Sequence, residues 1–188
     1  PVFALYAEQL RGGEDHTLIG LALGAYGLTQ AVLQIPFGSL SDRWDRKKTI
    51  YLGLVIFAAG SFIAAIAQDI HVVILGRIIQ GAGAISAAVM ALAADLTRDE
   101  QRTKAMAIIG MTIGAAFALS MVGGPVLNRW IGVPGIFALT GVLALTAILV
   151  VRFVVPTPAM AAGARGTESQ ARFADILRHP QLMRLNYG

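Results

Sequence analysis

Hydrophobic and polar positions along the chain fall into long blocks rather than a short alternation. Apolar residues fill stretches at about 18–40, 49–68, 72–94, 105–127 and 133–155, and these carry almost no charge. Each is long enough, at about 1.5 Å per helical residue, to cross roughly 30 Å of hydrocarbon. A backbone in lipid must satisfy its own N–H and C=O groups, so the blocks predict an all-α, polytopic membrane protein with one helix in each. Residues 1–10 are apolar but too short to cross, and they predict the remnant of a first helix whose start is missing. From Pro156 the pattern changes. Pro156, Pro158 and a small, polar run to Gln170 predict a flexible linker, ARFADILRH predicts a short amphipathic helix on the inner membrane face, and QLMRLNYG predicts the start of a seventh span. The chain thus divides into a transmembrane domain over 1–155 and a cytoplasmic segment over 156–188.

Composition agrees with the blocks. The chain is 56% hydrophobic and 14% charged, against roughly 45–50% and about 25% in soluble domains, so charge is too scarce to coat a water-soluble globule. The 15 Lys and Arg outnumber the 11 Asp and Glu, but they sit in short gaps between apolar blocks. That placement argues for a lipid bilayer as partner and against nucleic acid. Cysteine is absent, no His or carboxylate cluster has metal-ligand spacing, and no Gly-x-x-x-x-Gly-Lys run is present. No metal, cofactor or ATP-driven pump is expected, and nothing marks an enzyme.

The basic residues also set an orientation. Arg43, Arg46, Lys47 and Lys48, then Arg98, Arg102 and Lys104, then Arg152, Arg165, Arg172, Arg178 and Arg184 occupy alternate gaps and the tail, while the intervening gaps hold Arg11 and Arg129. The positive-inside rule puts loops 38–48 and 95–104 and the tail in the cytoplasm. Trp44 and Trp130 fall at expected span ends, where an indole buries its ring and hydrates its N–H.

Three motifs say more than topology. Gly38, Leu40, Asp42, Arg43, Arg46, Lys47 and Lys48 in GSLSDRWDRKK fit the spacing Gly-x-Leu-x-Asp-Arg-x-Gly-Arg-Lys-x, with Lys48 at the final open position. Arg77, Gln80, Gly81 and Gly83 stand together in LGRIIQGAGA, and Gly114, Gly123, Gly124 and Pro125 in GAAFALSMVGGP. In this order they resemble, respectively, the loop after the second helix, the fourth-helix motif and the fifth-helix signature of the drug:proton antiporter branch of the major facilitator superfamily. The resemblance implies the amino-terminal six-helix half of a twelve-helix transporter, partnered by a missing carboxy-terminal half, and it associates Arg77 with proton coupling. Two positions depart from the pattern. Asp45 replaces a glycine that would suit a left-handed backbone, and since Asp tolerates that conformation the turn is expected to persist. Leu127 and Asn128 replace a paired glycine in the antiporter signature.

Each candidate residue has a bland reading beside the functional one. Asp42 and Arg46 share a face if the helix continues through the loop, and Asp95 can join them in a conformational charge network. A solvated loop serving topology alone is the alternative, but it leaves the acidic residues without a purpose. An arginine at a helix centre costs about 2.5 to 3.5 kcal/mol, which favours a cavity-facing Arg77, with snorkelling to the outer interface as the alternative. Tyr26, Gln30 and Gln34 recur every four residues as a polar stripe, facing either a cavity or neighbouring helices. Gly20 with Gly24 and Gly110 with Gly114 are small-xxx-small pairs for close helix packing, on faces expected to be bare where a missing half would sit.

These readings converge on a secondary transporter of a bacterial inner membrane: a proton-coupled efflux antiporter of small molecules, working by alternating access around a midmembrane site. A facilitator or symporter of the same fold, and a membrane scaffold without transport, remain as alternatives.

Overall fold

The computed structural model describes residues 2–83 and 85–156, with the side chains of Asp42 and Arg43 outside the description. The amphipathic helix and seventh-span start expected near the carboxy terminus lie outside the described residues, as does the linker beyond Pro156. The described elements are helical, as expected of an all-α membrane protein. They are α1 (Val2–Ala7), α2 (His16–Arg43), α3 (Arg46–Ala65), α4 (Ile70–Ala82), α5 (Ser86–Leu96), a 3-10 turn (Asp99–Gln101) and α6 (Arg102–Phe153). Four stretches, His16–Ser41, Arg46–Ala65, Ile70–Leu96 and Asp99–Phe153, are long and apolar enough to cross a membrane.

The helix ends differ from expectation in instructive ways. The expected loop at 38–48 is mostly helix: α2 runs to Arg43, the Trp44 N–H closes on the Leu40 carbonyl at 2.8 Å, and α3 begins at Arg46. Asp45 does not take the left-handed conformation. Its φ of −68° and ψ of 125° are extended, and its carboxylate accepts from the backbone N–H groups of Lys47 at 2.8 Å and Lys48 at 3.4 Å. An N-cap satisfies donors that the first helical turn leaves orphaned, and this is what an aspartate offers and a glycine does not. The expected fourth span is covered by two described helices, α4 ending at Ala82 and α5 starting at Ser86.

The two last expected helices run on within α6. Its 52 residues, at about 1.5 Å each, exceed twice the length of one crossing. At Gly132 the backbone leaves helical geometry, with φ 67° and ψ 175°. That positive φ suits glycine, and Pro134 follows in the first turn of the next segment.

Aspartates also cap α2 and α4. Asp15 accepts from the Thr17 N–H at 2.8 Å, and Asp69 accepts from the His71 N–H at 2.8 Å. Those bonds hold both carboxyl groups below the usual carboxylate range. Next to the second cap, the Ile70 N–H donates to the Arg11 carbonyl at 3.0 Å, tying the α1–α2 connection to the start of α4.

Helices α3 and α4 form the centre of the bundle. Ile19, Ala22 and Ala25 of α2 pack with Ile70, Val73 and Ile74 of α4 on one side, and Ile50, Leu54 and Ala58 of α3 pack with Leu92 and Ala144 on the other. Between them the two backbones nearly touch. A Cβ on Gly60 would lie 2.3 Å from the Gln80 nitrogen, and one on Gly76 would lie 2.8 Å from the Ala64 nitrogen. By contrast a Cβ at Gly24 would meet no atom within 4 Å. We therefore expect Gly60→Ala to lower stability in detergent by about 1 to 3 kcal/mol through overpacking. In this chain taken by itself, Gly24→Ala should be neutral or raise stability by up to about 1 kcal/mol. Thermal unfolding of the two variants side by side checks this, and equal effects would count against the close crossing.

Candidate functional site

Two polar centres stand out in an otherwise apolar bundle. The first lies where α2, α3, α5 and the end of α6 meet the charged motif. The Arg46 guanidinium pairs through Nε with the Asp95 carboxylate, joining α3 to α5, with the two side chains 18% and 35% exposed. Lys47 is buried, and its Nζ donates to the Val155 carbonyl at 2.6 Å, so the start of α3 holds the end of α6. A cation at a helix carboxy terminus also meets the negative end of the helix dipole there. Lys48 is exposed, Leu40 is half-buried, and Gly38 faces Ala87 of α5 at an ordinary contact distance of 3.6 Å from a built Cβ.

Of the expected trio, the structure brings Arg46 and Asp95 together. The Asp42 side chain lies outside the described residues, as does that of Arg43. The expected route for an Asp42–Arg46 pair, four residues apart along one continuous helix, does not exist, because the non-helical Trp44 and Asp45 separate α2 from α3.

The second centre surrounds Arg77 on α4. Its Nη1 donates to Gln80 Oε1 at 2.8 Å and its Nε donates to the Ala22 carbonyl of α2 at 3.4 Å. The guanidinium carbon lies 4.8 Å from the centre of the Tyr26 ring and 6.0 Å from that of Phe137 on α6. Among the described residues no carboxylate pairs with it. The side chain therefore turns inward, towards α2 and α6. Gln80 is 4% exposed, and its Nε2 donates to Ser61 Oγ of α3 at 2.8 Å. Ser61 Oγ in turn donates to the Phe57 carbonyl at 2.8 Å.

Gly81 and Gly83 have a packing reason. A Cβ on Gly81 would sit 2.4 Å from the Tyr26 carbonyl oxygen, and one on Gly83 would sit 2.5 Å from the Gly53 carbonyl oxygen. Small residues there let α4 lie directly on α2 and α3.

A cavity of about 510 Å³ opens beside Tyr26, lined also by Gln30, Phe57, Ser86, Met90 and Thr140. Of the expected stripe, Tyr26 and Gln30 face this cavity, while Gln34 is exposed and does not line it. Steps of four residues drift by about 40° round a helix of 3.6 residues per turn, so the third member leaves the face. In the fifth-helix signature a Cβ at Gly110, Gly114, Gly123 or Gly124 would meet nothing within 4 Å, and Pro125 is exposed. The same is true of Gly20 and Gly24 on α2.

Sequence reasoning missed Ser61, Phe137 and the Lys47–Val155 contact. Serine in an apolar helix normally hides its hydroxyl on the preceding turn, as Ser61 also does, so its second role carries no local signal.

Comparison with known proteins gives a consistent result. The sequence profile of the Major Facilitator Superfamily matches residues 1–186. The inner membrane transport protein YajR of Escherichia coli strain K12 is 48% identical over 189 residues, which cover 100% of this chain and 41% of that protein. An uncharacterized transporter of Buchnera aphidicola subsp. Schizaphis graminum is 45% identical over 84% of this chain and 40% of its own length. The quinolone resistance protein NorA of Staphylococcus aureus strain Mu50 is 30% identical over 63% of this chain and 31% of its own length. The chain spans about two fifths of the length of the first two of these relatives.

The partly exposed Arg46–Asp95 pair sets the size of one expected effect. In a double-mutant cycle on Arg46→Gln and Asp95→Asn, the coupling energy in thermal unfolding should be about 1 kcal/mol, because solvent screens such a pair. Strict additivity would mean the two side chains do not communicate.

Proposed function

The chain belongs to the major facilitator superfamily and is an integral membrane protein, and from that premise we propose that it forms the amino-terminal helical half of a proton-coupled efflux antiporter of small molecules. It is a carrier and not an enzyme. In this reading α1 is the outer end of a first span, α2 and α3 cross once each, α4 and α5 together make the fourth crossing, and α6 crosses twice with its turn at Gly132. The Arg46–Asp95 side is cytoplasmic, consistent with the basic residues clustered there, and the likeness to YajR supports a bacterial inner membrane. The open glycine faces at Gly20 and Gly24 and at Gly110 and Gly114 suit a partner half, which the length of the relatives supports.

The observation that carries the reading is Arg77. A guanidinium is held in an apolar bundle by an amide, a carbonyl and two aromatic rings, on a residue that also lines the cavity, Tyr26. A fixed charge so placed can change its environment as helices rock, and through Tyr26 it can sense a solute in the cavity. The cavity lining is mostly apolar with hydroxyl and amide groups at Tyr26, Gln30, Ser86 and Thr140, which suits a small lipophilic solute. Efflux is supported by the resistance protein among the relatives. Asp42, Arg46 and Asp95 then act as a cytoplasmic network that biases one of two conformations by a modest energy, about 1 to 3 kcal/mol, so that the carrier can still cycle.

The test is reconstitution of the full-length transporter in liposomes with an imposed pH gradient, using a solute found by an unbiased screen. Gradient-driven flux is expected. Arg77→Ala should abolish the gradient dependence while leaving membrane insertion intact, and Arg77→Lys should restore it in part, because a point charge lacks the guanidinium fork. Flux that ignores the gradient would identify a facilitator, flux with the solute moving alongside protons a symporter, and no flux with any solute a scaffold.

A further inference from the structure

We infer that Ser61 is the positioning residue for Arg77: through Gln80 it fixes which way the buried guanidinium is held against Tyr26. The inference rests on the reading of Arg77 given above for its functional meaning, but its geometry stands independently.

The polarity of the hydrogen-bond chain is forced at both ends. Arginine has donors and no acceptor, so the Gln80 atom 2.8 Å from Arg77 Nη1 must be the amide oxygen. At the other end Ser61 spends its proton on the Phe57 carbonyl at 2.8 Å, which leaves its oxygen as an acceptor for the Gln80 NH2 group at 2.8 Å. Both constraints select the same amide orientation. Without the serine oxygen, one end of the Gln80 amide loses its lock. The amide is then held by the guanidinium alone, and its NH2 end, buried without a partner, no longer fixes where the oxygen sits.

Burial makes the lock consequential. Ser61 is 0% exposed and Gln80 is 4% exposed, so water is not at hand to replace a missing partner. The reach of 2.8 Å across two helices depends in turn on the backbone crossing. A Cβ on Gly60, next to Ser61, would lie 2.3 Å from the Gln80 nitrogen and 2.6 Å from the Gly76 carbonyl oxygen. The glycine crossing and the serine are therefore parts of one device: the first brings α3 within reach of Gln80, and the second orients its amide.

The test reads the guanidinium directly and needs no solute. In the full-length transporter in lipid nanodiscs, nitrogen NMR of arginine side chains should show the two Nη atoms of Arg77 as distinct, slowly exchanging signals, assigned by their loss in Arg77→Lys. Ser61→Ala should speed rotation about the Nε–Cζ bond by up to roughly five- to tenfold, the limit reached if the Arg77–Gln80 hydrogen bond is lost along with that of the serine. Ser61→Thr, which keeps the hydroxyl, should behave as wild type. Ser61→Cys keeps the size with a weaker acceptor and should fall between, so a poorly folding alanine variant does not end the test. Gly60→Ala should loosen Arg77 with the serine intact. Unchanged Arg77 signals in both Ser61→Ala and Ser61→Cys would overturn the inference. If those signals change while proton-driven flux stays at the wild-type level and Arg77→Ala abolishes it, the serine orients Arg77 without functional effect and the positioning role is overturned. If Arg77→Ala also keeps that flux, the role proposed for Arg77 itself fails.

Discussion

A guanidinium in an apolar helix has to be solvated by protein, and much of the packing around α4 follows from that requirement. An arginine at a helix centre costs about 2.5 to 3.5 kcal/mol on insertion scales. Against this stand a hydrogen bond from the charged group to Gln80, worth about 1.5 to 3 kcal/mol, a longer one to the Ala22 carbonyl, and the Tyr26 face at 4.8 Å, worth about 2 kcal/mol when desolvated. The two larger contacts alone offset the cost. Among the described residues, Arg77 is thus held inside by neutral partners alone. Gly81, lying on the Tyr26 backbone, is what lets α2 come close enough to supply the ring and the carbonyl.

At the opposite end of the bundle the solution is different because water is nearer. The charged motif contributes an N-cap from Asp45, an ion pair from Arg46 and a helix-end contact from Lys47, each to a different element. The cap fixes where α3 starts, and once that is set Arg46 and Lys47 point to α5 and to the end of α6. Successive helical residues are about 100° apart, so neighbouring basic residues reach separate partners instead of competing for one. The Arg46–Asp95 pair is the softer of these contacts, since both partners retain exposure, and a soft contact is what a reversible conformational bias requires.

How much of this was legible in the sequence depends on the range of the interaction. Apolar blocks announced the helices because lipid leaves the backbone little else to form. The cost of burying Arg77 was likewise visible from one residue and its neighbours. Helix ends were harder. The density of charge from Gly38 to Lys48 looked like loop, yet charged side chains do not oppose a helix that ends at the membrane surface, and α2 continues to Arg43. The cap at Asp45 had a local signal, an aspartate directly before a helical run, but it was outweighed by the expectation of a glycine-like turn. Ser61 was not legible because its partner is 19 residues away on another helix and the contact exists only where two glycines let the backbones meet.

The two polar centres share a path through α4 and α5, and the character of that path constrains how they can communicate. Arg77 stands on α4 and Asp95 on α5. Gly83 lies against the Gly53 and Phe57 backbone of α3, and Gly83, Ile85 and Ser86 line the same cavity as Tyr26. Whatever fills the cavity therefore touches the start of α5 and the ring beside Arg77 together. Helix α3 spans both centres, with Arg46 at its start and Ser61 near its end, and it is unbroken. The element that carries residues of both centres is thus α3, whereas α4, the helix of the arginine, contributes to one of them.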